Sequence, residues 1–157
     1  MIRDEGDAIS HRVGEPASGA RVIGIDLGER RIGVAVSDGT GTLASPHGVI
    51  ERSRDRAADH GAIAALVAEL DAERVVVGLP LSLSGAAGPA ARAALAEAAA
   101  LASVLAVPVE TFDERLTTVA AAQSLRAGGV KARKQRKRID EMAASVMLQN
   151  WLEQRRA

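Results

Sequence analysis

Three consecutive valines, Val75-Val76-Val77, closed by Gly78-Leu79-Pro80, constrain this chain more than any other feature. Successive side chains of a strand point to opposite faces of its sheet, so an unbroken β-branched run needs cover on both faces. Such a strand belongs at the centre of a parallel array, with helices packed above and below it. The neighbouring segments offer those helices. Residues 56–72 carry Ile63, Leu66, Val67 and Leu70 at helical spacing, and residues 89–106 form an Ala-rich run with Pro89 suited to the first turn.

Upstream, three short runs at 21–26, 31–37 and 42–50 read as strands. Gly28-Glu29-Arg30 and Asp38-Gly39 supply tight turns between them, which predicts an antiparallel meander. A fifth strand is expected over 107–112. Thr117 is placed as the N-cap of a helix stopping at Gly128-Gly129. A last helix runs from about 137 to 155, with Ile139, Met142, Ala143, Val146 and roughly Asn150 as its apolar face. The expected order is βββ-α-β-α-β-α-α, an α/β fold with a five-stranded mixed sheet flanked by helices. Residues 1–20 mix Gly, Pro, Ser and charges without periodicity and read as a disordered tail, leaving 21–157 as a single domain.

Composition narrows the chemistry. Phe112 and Trp151 are the only aromatic residues, so a nucleic acid cannot be held mainly by stacking on rings. There is no cysteine, which excludes disulfides and thiolate metal sites. His11, His47 and His60 are scattered without the spacing of a zinc site. A resident metal would therefore take oxygen ligands, which favours Mg²⁺ or Mn²⁺. No run reaches the ~18 apolar residues of a membrane span, and the N-terminus lacks a basic-then-apolar leader pattern, so a cytoplasmic location without membrane contact is expected.

A formal net charge of zero conceals an asymmetry. Between Glu114 and Asp140 lie eight basic residues and no acidic one, while the rest of the chain holds 12 basic against 20 acidic residues. A basic block on an acidic body points to a polyanion met at one place. Its plain alternative is a solvated linker. The candidate phosphate contacts are Arg30 and Arg31 in the first turn, then Arg115, Lys131, Arg133, Lys134, Arg136, Lys137 and Arg138.

Three acids stand where such a polyanion could be cut. Asp26 ends the first strand, Glu114 follows the fifth, and Asp140 opens the last helix with Ala143 and Ala144 one turn on. Small residues there let the helix press against the sheet and bring Asp140 toward the other two. Carboxylates gathered from distant segments repel one another unless a counter-charge joins them. A pair of divalent cations ~3.5–4 Å apart resolves this, and such a pair also activates water and stabilises a leaving oxygen in phosphodiester hydrolysis. Taken singly, each acid also fits a turn or a helix entry, where negative charge is favoured in any protein.

Four segments carry a family resemblance. They are Gly24-Ile-Asp-Leu-Gly-Glu-Arg-Arg-Ile-Gly-Val-Ala-Val-Ser-Asp38, Val77-Gly-Leu-Pro-Leu-Ser-Leu-Ser-Gly85 with Gly88-Pro89, Asp113-Glu-Arg-Leu-Thr-Thr118, and Asp140-Glu-Met-Ala-Ala144 with Leu148-Gln149. Their order and spacing over about 21–153 resemble the YqgF/RuvX family, nucleases linked to small-subunit ribosomal RNA maturation and distantly similar to RuvC-type Holliday-junction resolvases. The resemblance implies a ribonuclease H-like fold and a metal-dependent nuclease. It implies a catalytic and metal-binding triad of Asp26, Glu114 and Asp140. Ser82 and Ser84 stand where the family often has Asn and Asp.

The expected activity is phosphodiester hydrolysis in processing the 5′ end of the small-subunit (16S) ribosomal RNA precursor, by a monomer or weak homodimer. Three other readings compete. A DNA four-way-junction resolvase shares the chemistry but not the substrate. A non-catalytic nucleic-acid-binding factor in transcription or ribosome assembly would keep the fold. Gly24-Ile-Asp-Leu-Gly also resembles the phosphate turn of actin/hexokinase-type ATPases, although 157 residues hold only one of their two lobes.

Overall fold

The computed structural model describes residues 20–80, 86–114 and 132–156, with side chains at 132–137 and 156 excepted. In chain order the elements are β1 (Arg21–Leu27), β2 (Arg31–Ser37), β3 (Ala44–Glu51), α1 (Arg56–Glu69), β4 (Ala72–Leu79), α2 (Pro89–Val104), β5 (Val109–Asp113) and α3 (Ala132–Arg156). The five strands form one sheet in the order β3-β2-β1-β4-β5. β1, β2 and β3 pair antiparallel as a meander, and β4 runs parallel to both β1 and β5. The mixed α/β architecture expected from the sequence is the one observed. Residues 1–19 of the expected tail at 1–20, the loop at 81–85 and the helix placed at 117–129 lie outside the described residues.

The valine run does what its lack of alternation requires. Val75, Val76 and Val77 are fully buried in β4, with parallel neighbours on both sides. Val75 and Val77 join Ile23, Ile25, Ile32 and Val34 against Ile63 and Val67 of α1 and Ala98 and Leu101 of α2. Val76 faces the other way and packs with Val22, Ala35 and Phe112 against α3. The sheet thus has a bulky face under α1 and α2 and a second face under α3.

Several boundaries move. α1 ends at Glu69 rather than 72, because Ala72 already pairs with Arg21 as the first residue of β4. Asp71 makes the reversal with φ of 51°, in the left-handed region that Asp tolerates better than most residues. α2 ends at Val104, and β5 starts at Val109, since Pro108 has no N–H to give to a ladder. Its carbonyl still accepts from Val75 N at 3.0 Å. α3 begins at Ala132, five residues before the expected start, so residues 133–136 of the basic block are helical as well.

The buried face of α3 also differs from the expected one. Ala144, Met147, Leu148, Trp151 and Leu152 are its buried apolar residues, whereas Ile139, Met142, Ala143, Val146 and Asn150 are half-buried. Turning Trp151 and Leu148 inward removes more apolar area from water than Met142 and Val146 would. Asp140 lies one turn before Ala144 on this same buried face. Gln149 fixes the helix along its axis: Ala44 N donates to Gln149 Oε1 at 2.8 Å, and Gln149 Nε2 donates to the Thr42 carbonyl at 3.1 Å.

Candidate active site

Asp26 and Glu114 are in contact at one end of the sheet, and Asp140 of α3 is near enough for the Asp26 charge to act on it. Along β1, Val22, Gly24 and Asp26 alternate onto the α3 face. Asp26 pairs with Gly33 across the antiparallel β1–β2 ladder, so the two residues share that face. Gly33 has no side chain, and the backbone of Asp140 occupies the space a Cβ would take. This close approach carries Asp140 to Asp26. Gly24 assists lower down, where an added Cβ would meet Leu148 Cβ at 2.9 Å.

Glu114 arrives by a similar device. β5 ends at Asp113, and Glu114 begins the turn beyond it. Its carboxyl lies over Gly78 of β4, in the volume a Cβ there would fill. From that position it hydrogen-bonds the Asp26 carboxylate. The strand has already ended at Asp113, so it is this turn, and not strand alternation, that directs Glu114 toward Asp26.

The electrostatics follow from crowding three acids under a helix. Burial, then the Asp26 charge, the hydrogen bond to Asp26 and the Asp113 charge push the Glu114 carboxyl up to about 8. Asp26 is raised by burial and partly relieved by the bond from Glu114. Asp140 is raised by burial and by Asp26, with Arg31 opposing. Glu114 donates its carboxyl proton to Asp26, and this bond raises Glu114 while it lowers Asp26.

All three donors are carboxylate oxygens, the ligand type of hard divalent cations, and a site that must otherwise hold a proton fits a cation in its place. Among the described residues, no three His, Asp or Glu side chains converge tightly enough to enclose an ion as they stand. A measurable consequence is proton-linked stability. Glu114 binds its proton more tightly in the folded protein than in the unfolded chain. Between pH ~4.5 and ~8 the folded state therefore holds the extra proton, and stability falls as pH rises through that window. Thermal unfolding of metal-free protein is expected to show this decline. At pH 7, calorimetry in buffers of different ionisation heat should show about one proton released when Mn²⁺ binds. A flat stability profile and no released proton would contradict the assignment.

The candidate phosphate contacts divide. Arg30 is exposed at the tip of the β1–β2 turn, and Arg138 is exposed two residues before Asp140. Arg31 is already engaged: its Nε lies 3.2 Å from Glu51 and its Nη1 4.0 Å from Asp140 Oδ2, with the side chain only 14% exposed. Arg133, Lys134, Arg136 and Lys137 lie on the first turns of α3. Arg115 and Lys131 lie outside the described residues.

Sequence reasoning missed a second cluster behind the site. Arg52 Nη1 and Nη2 donate to both carboxylate oxygens of Glu97 at 2.8 and 2.9 Å, and His60 Nε2 lies 2.8 Å from Glu97 Oε2. One signal was available. Glu97 is an acid on the face of α2 that otherwise buries Ala91, Ala94, Ala98 and Leu101, and an acid so placed needs a partner.

This mixed five-stranded sheet, with α1 and α2 on one face and α3 on the other, is the architecture of the ribonuclease H-like fold. The model of the RuvX family, described as Holliday junction resolvase, matches residues 20–154, and the chain belongs to that family. A relative from Mycobacterium sp. (strain KMS), named "Putative pre-16S rRNA nuclease", is 51% identical over 145 residues, covering 92% of this chain and 85% of its own. A relative of the same name from Chloroflexus aggregans is 51% identical over 135 residues, covering 86% and 94%. Among solved structures, T. thermophilus RuvC in complex with Holliday junction substrate superposes with a TM-score of 0.56 at 18% identity, covering 88% of this chain and 96% of that one. That likeness concerns the fold. Family membership sets aside the ATPase-lobe reading of Gly24-Ile-Asp-Leu-Gly. Among the described residues, no helix is long and apolar enough to cross a membrane.

Proposed function

We propose that this chain hydrolyses phosphodiester bonds of RNA in the cytoplasm, acting on the 5′ end of the small-subunit (16S) ribosomal RNA precursor as a monomer or weak homodimer. The convergence of Asp26, Glu114 and Asp140 under α3 carries the reading, and the names of the relatives supply the substrate. Nucleases of this fold generally use divalent metals. Here Asp26, Glu114 and Asp140 would hold Mg²⁺ or Mn²⁺ as a two-metal site. Bound there, the cations supply an activated water and stabilise the leaving oxygen.

The chain's own residues prepare that chemistry. Asp26 lies between the other two acids, and its charge acts on both. Glu114 would have to lose its proton to serve as a cation ligand. Arg31 restrains Asp140 from the side while leaving its carboxylate in the site. Arg30, Arg138 and the basic residues Arg115, Lys131, Arg133, Lys134, Arg136 and Lys137 serve as backbone phosphate contacts. Replacing Lys134, Arg136 and Lys137 with Ala should weaken RNA binding across sequences. It should also flatten its salt dependence by ~0.7 in log–log slope per lost contact.

The family description favours a second reading, resolution of DNA four-way junctions. Incubating 5′-extended small-subunit RNA precursors and DNA four-way junctions with the protein and Mg²⁺ or Mn²⁺ separates the two. Site-specific shortening of the RNA with the junction intact is the expected result. Cleavage of the junction alone would move the assignment to the second reading. Binding without cleavage of either would leave a non-catalytic factor.

A further inference from the structure

We propose that Arg52 is a positioning residue for the carboxylate site, holding the 28–31 turn from the side of the sheet opposite α3. The inference rests on the nuclease reading for its kinetic consequence and on geometry alone for its mechanical one. Arg52 follows β3 and reaches the turn twice. Its Nε donates to the Gly28 carbonyl at 2.9 Å, and its backbone N–H donates to the Arg30 carbonyl at 2.8 Å. The turn is closed on itself by Gly28 N, which donates to the Arg31 carbonyl at 3.0 Å and to the Asp26 carbonyl at 3.2 Å.

What leaves this turn at each end belongs to the site. Asp26 lies two residues before Gly28. Arg31, at the other end, lies beside Asp140. The residues between, Glu29 and Arg30, are exposed, so apolar packing does not hold the turn in place.

Arg52 can serve as the fixed post because it is itself clamped. Glu97 takes its two terminal nitrogens in a fork, and His60 of α1 engages the same carboxylate. Glu97 and His60 side chains are each only 4% exposed. Helices α1 and α2 are thereby joined to the turn through one planar group. An ion pair serving stability alone has no need of the third donor, and buried pairs are often no more stabilising than apolar replacements. Here that donor goes to the turn beside Asp26. Lysine cannot reproduce the arrangement, since it has no Nε–H and no fork.

The test uses Arg52→Lys and Glu97→Gln in the full chain, with Tm measured first and every assay run well below it. Three readouts are taken: amide exchange at Gly28, Mn²⁺ affinity by calorimetry, and kcat with KM on whichever nucleic acid the wild type cleaves. Arg52→Lys should speed Gly28 exchange by about 10-fold or more and weaken Mn²⁺ binding by ~10–100-fold. It should lower kcat by a similar factor while KM stays within about threefold. Glu97→Gln, which leaves Arg52 tethered to Gly28 but unclamped, should move the same readouts by less, and it decides the question if Arg52→Lys does not fold. Wild-type exchange and Mn²⁺ affinity in both variants, with only Tm lowered, would reduce Arg52 to a scaffold residue. If the wild type cleaves neither RNA nor DNA, the nuclease reading fails, and exchange and Mn²⁺ affinity still decide the role of Arg52.

Discussion

Asp26→Asn is expected to lower cleavage by about three orders of magnitude or more while leaving the fold intact. Asn keeps the shape and one oxygen of the side chain but not its charge. Asp26 is the acid whose charge presses on both of the others, raising Glu114 and Asp140 alike, so it occupies the electrical centre of the group. Divalent cations, if Asp26 holds them as proposed, would stabilise transition-state charge by several kcal/mol, and each ~1.4 kcal/mol lost is a factor of ten in rate. Folding should respond in the opposite sense. Removing one buried like charge relieves repulsion, so metal-free Asp26→Asn should melt no lower than the wild type. Its Glu114 carboxyl should also titrate below about 8. RNA affinity, carried mainly by cations elsewhere, should stay within a few-fold. Cleavage rate, Tm and affinity measured side by side check the three claims. Wild-type cleavage by this variant would sink the carboxylate mechanism. Loss of cleavage together with a collapsed Tm would instead mark Asp26 as a folding residue.

How much of this was legible in the chain depended on whether a signal was local. The valine run declared a covered central strand because non-alternation has one structural meaning. The meander was readable from the two turn sequences that separate its strands. The three acids could be placed at strand and helix ends, and therefore near one edge of the sheet.

Rotation of the last helix was harder. Ile139, Met142, Ala143 and Val146 form one apolar stripe and Ala144, Met147, Leu148 and Trp151 form another beside it. Periodicity alone hardly distinguishes adjacent stripes of similar apolarity. The deciding information lay in the strands, where Gly24 in β1 and Gly33 and Ala35 in β2 alternate with Ile23, Ile25, Ile32 and Val34. Small residues on one face mark the side a helix approaches most closely, and that pattern is written in the sequence itself. The early start of α3 had a different cause. Lys, Arg and Gln are good helix formers, but without apolar residues they leave no periodic trace. Arg52, His60 and Glu97 come from three separate segments of the chain, and no spacing rule joins them.

The same small-residue pattern yields the second large effect. Gly33→Ala places a methyl group where the Asp140 carbonyl already lies, with the Asp140 carbonyl carbon only 2.9 Å from the new Cβ. Both are backbone atoms, so no side-chain rotation relieves the overlap and α3 itself must shift. Overpacking of this kind costs about 1–3 kcal/mol. In a chain of this size that is roughly 2–4 °C of Tm per kcal/mol. Activity should suffer more than stability, because the displaced segment carries Asp140 and a shift near 1 Å in a reacting group costs about 100-fold in rate. Gly61→Ala supplies the control. A Cβ at Gly61, on α1, meets nothing within 4 Å, so alanine there should raise Tm slightly and leave cleavage unchanged. Tm and initial cleavage rates of the two variants, measured together, give the comparison. Wild-type cleavage by Gly33→Ala would mean that the close approach of α3 is not what brings Asp140 to Asp26. A fall in Tm with cleavage unchanged at low temperature would confine Gly33 to packing and take Asp140 out of the site.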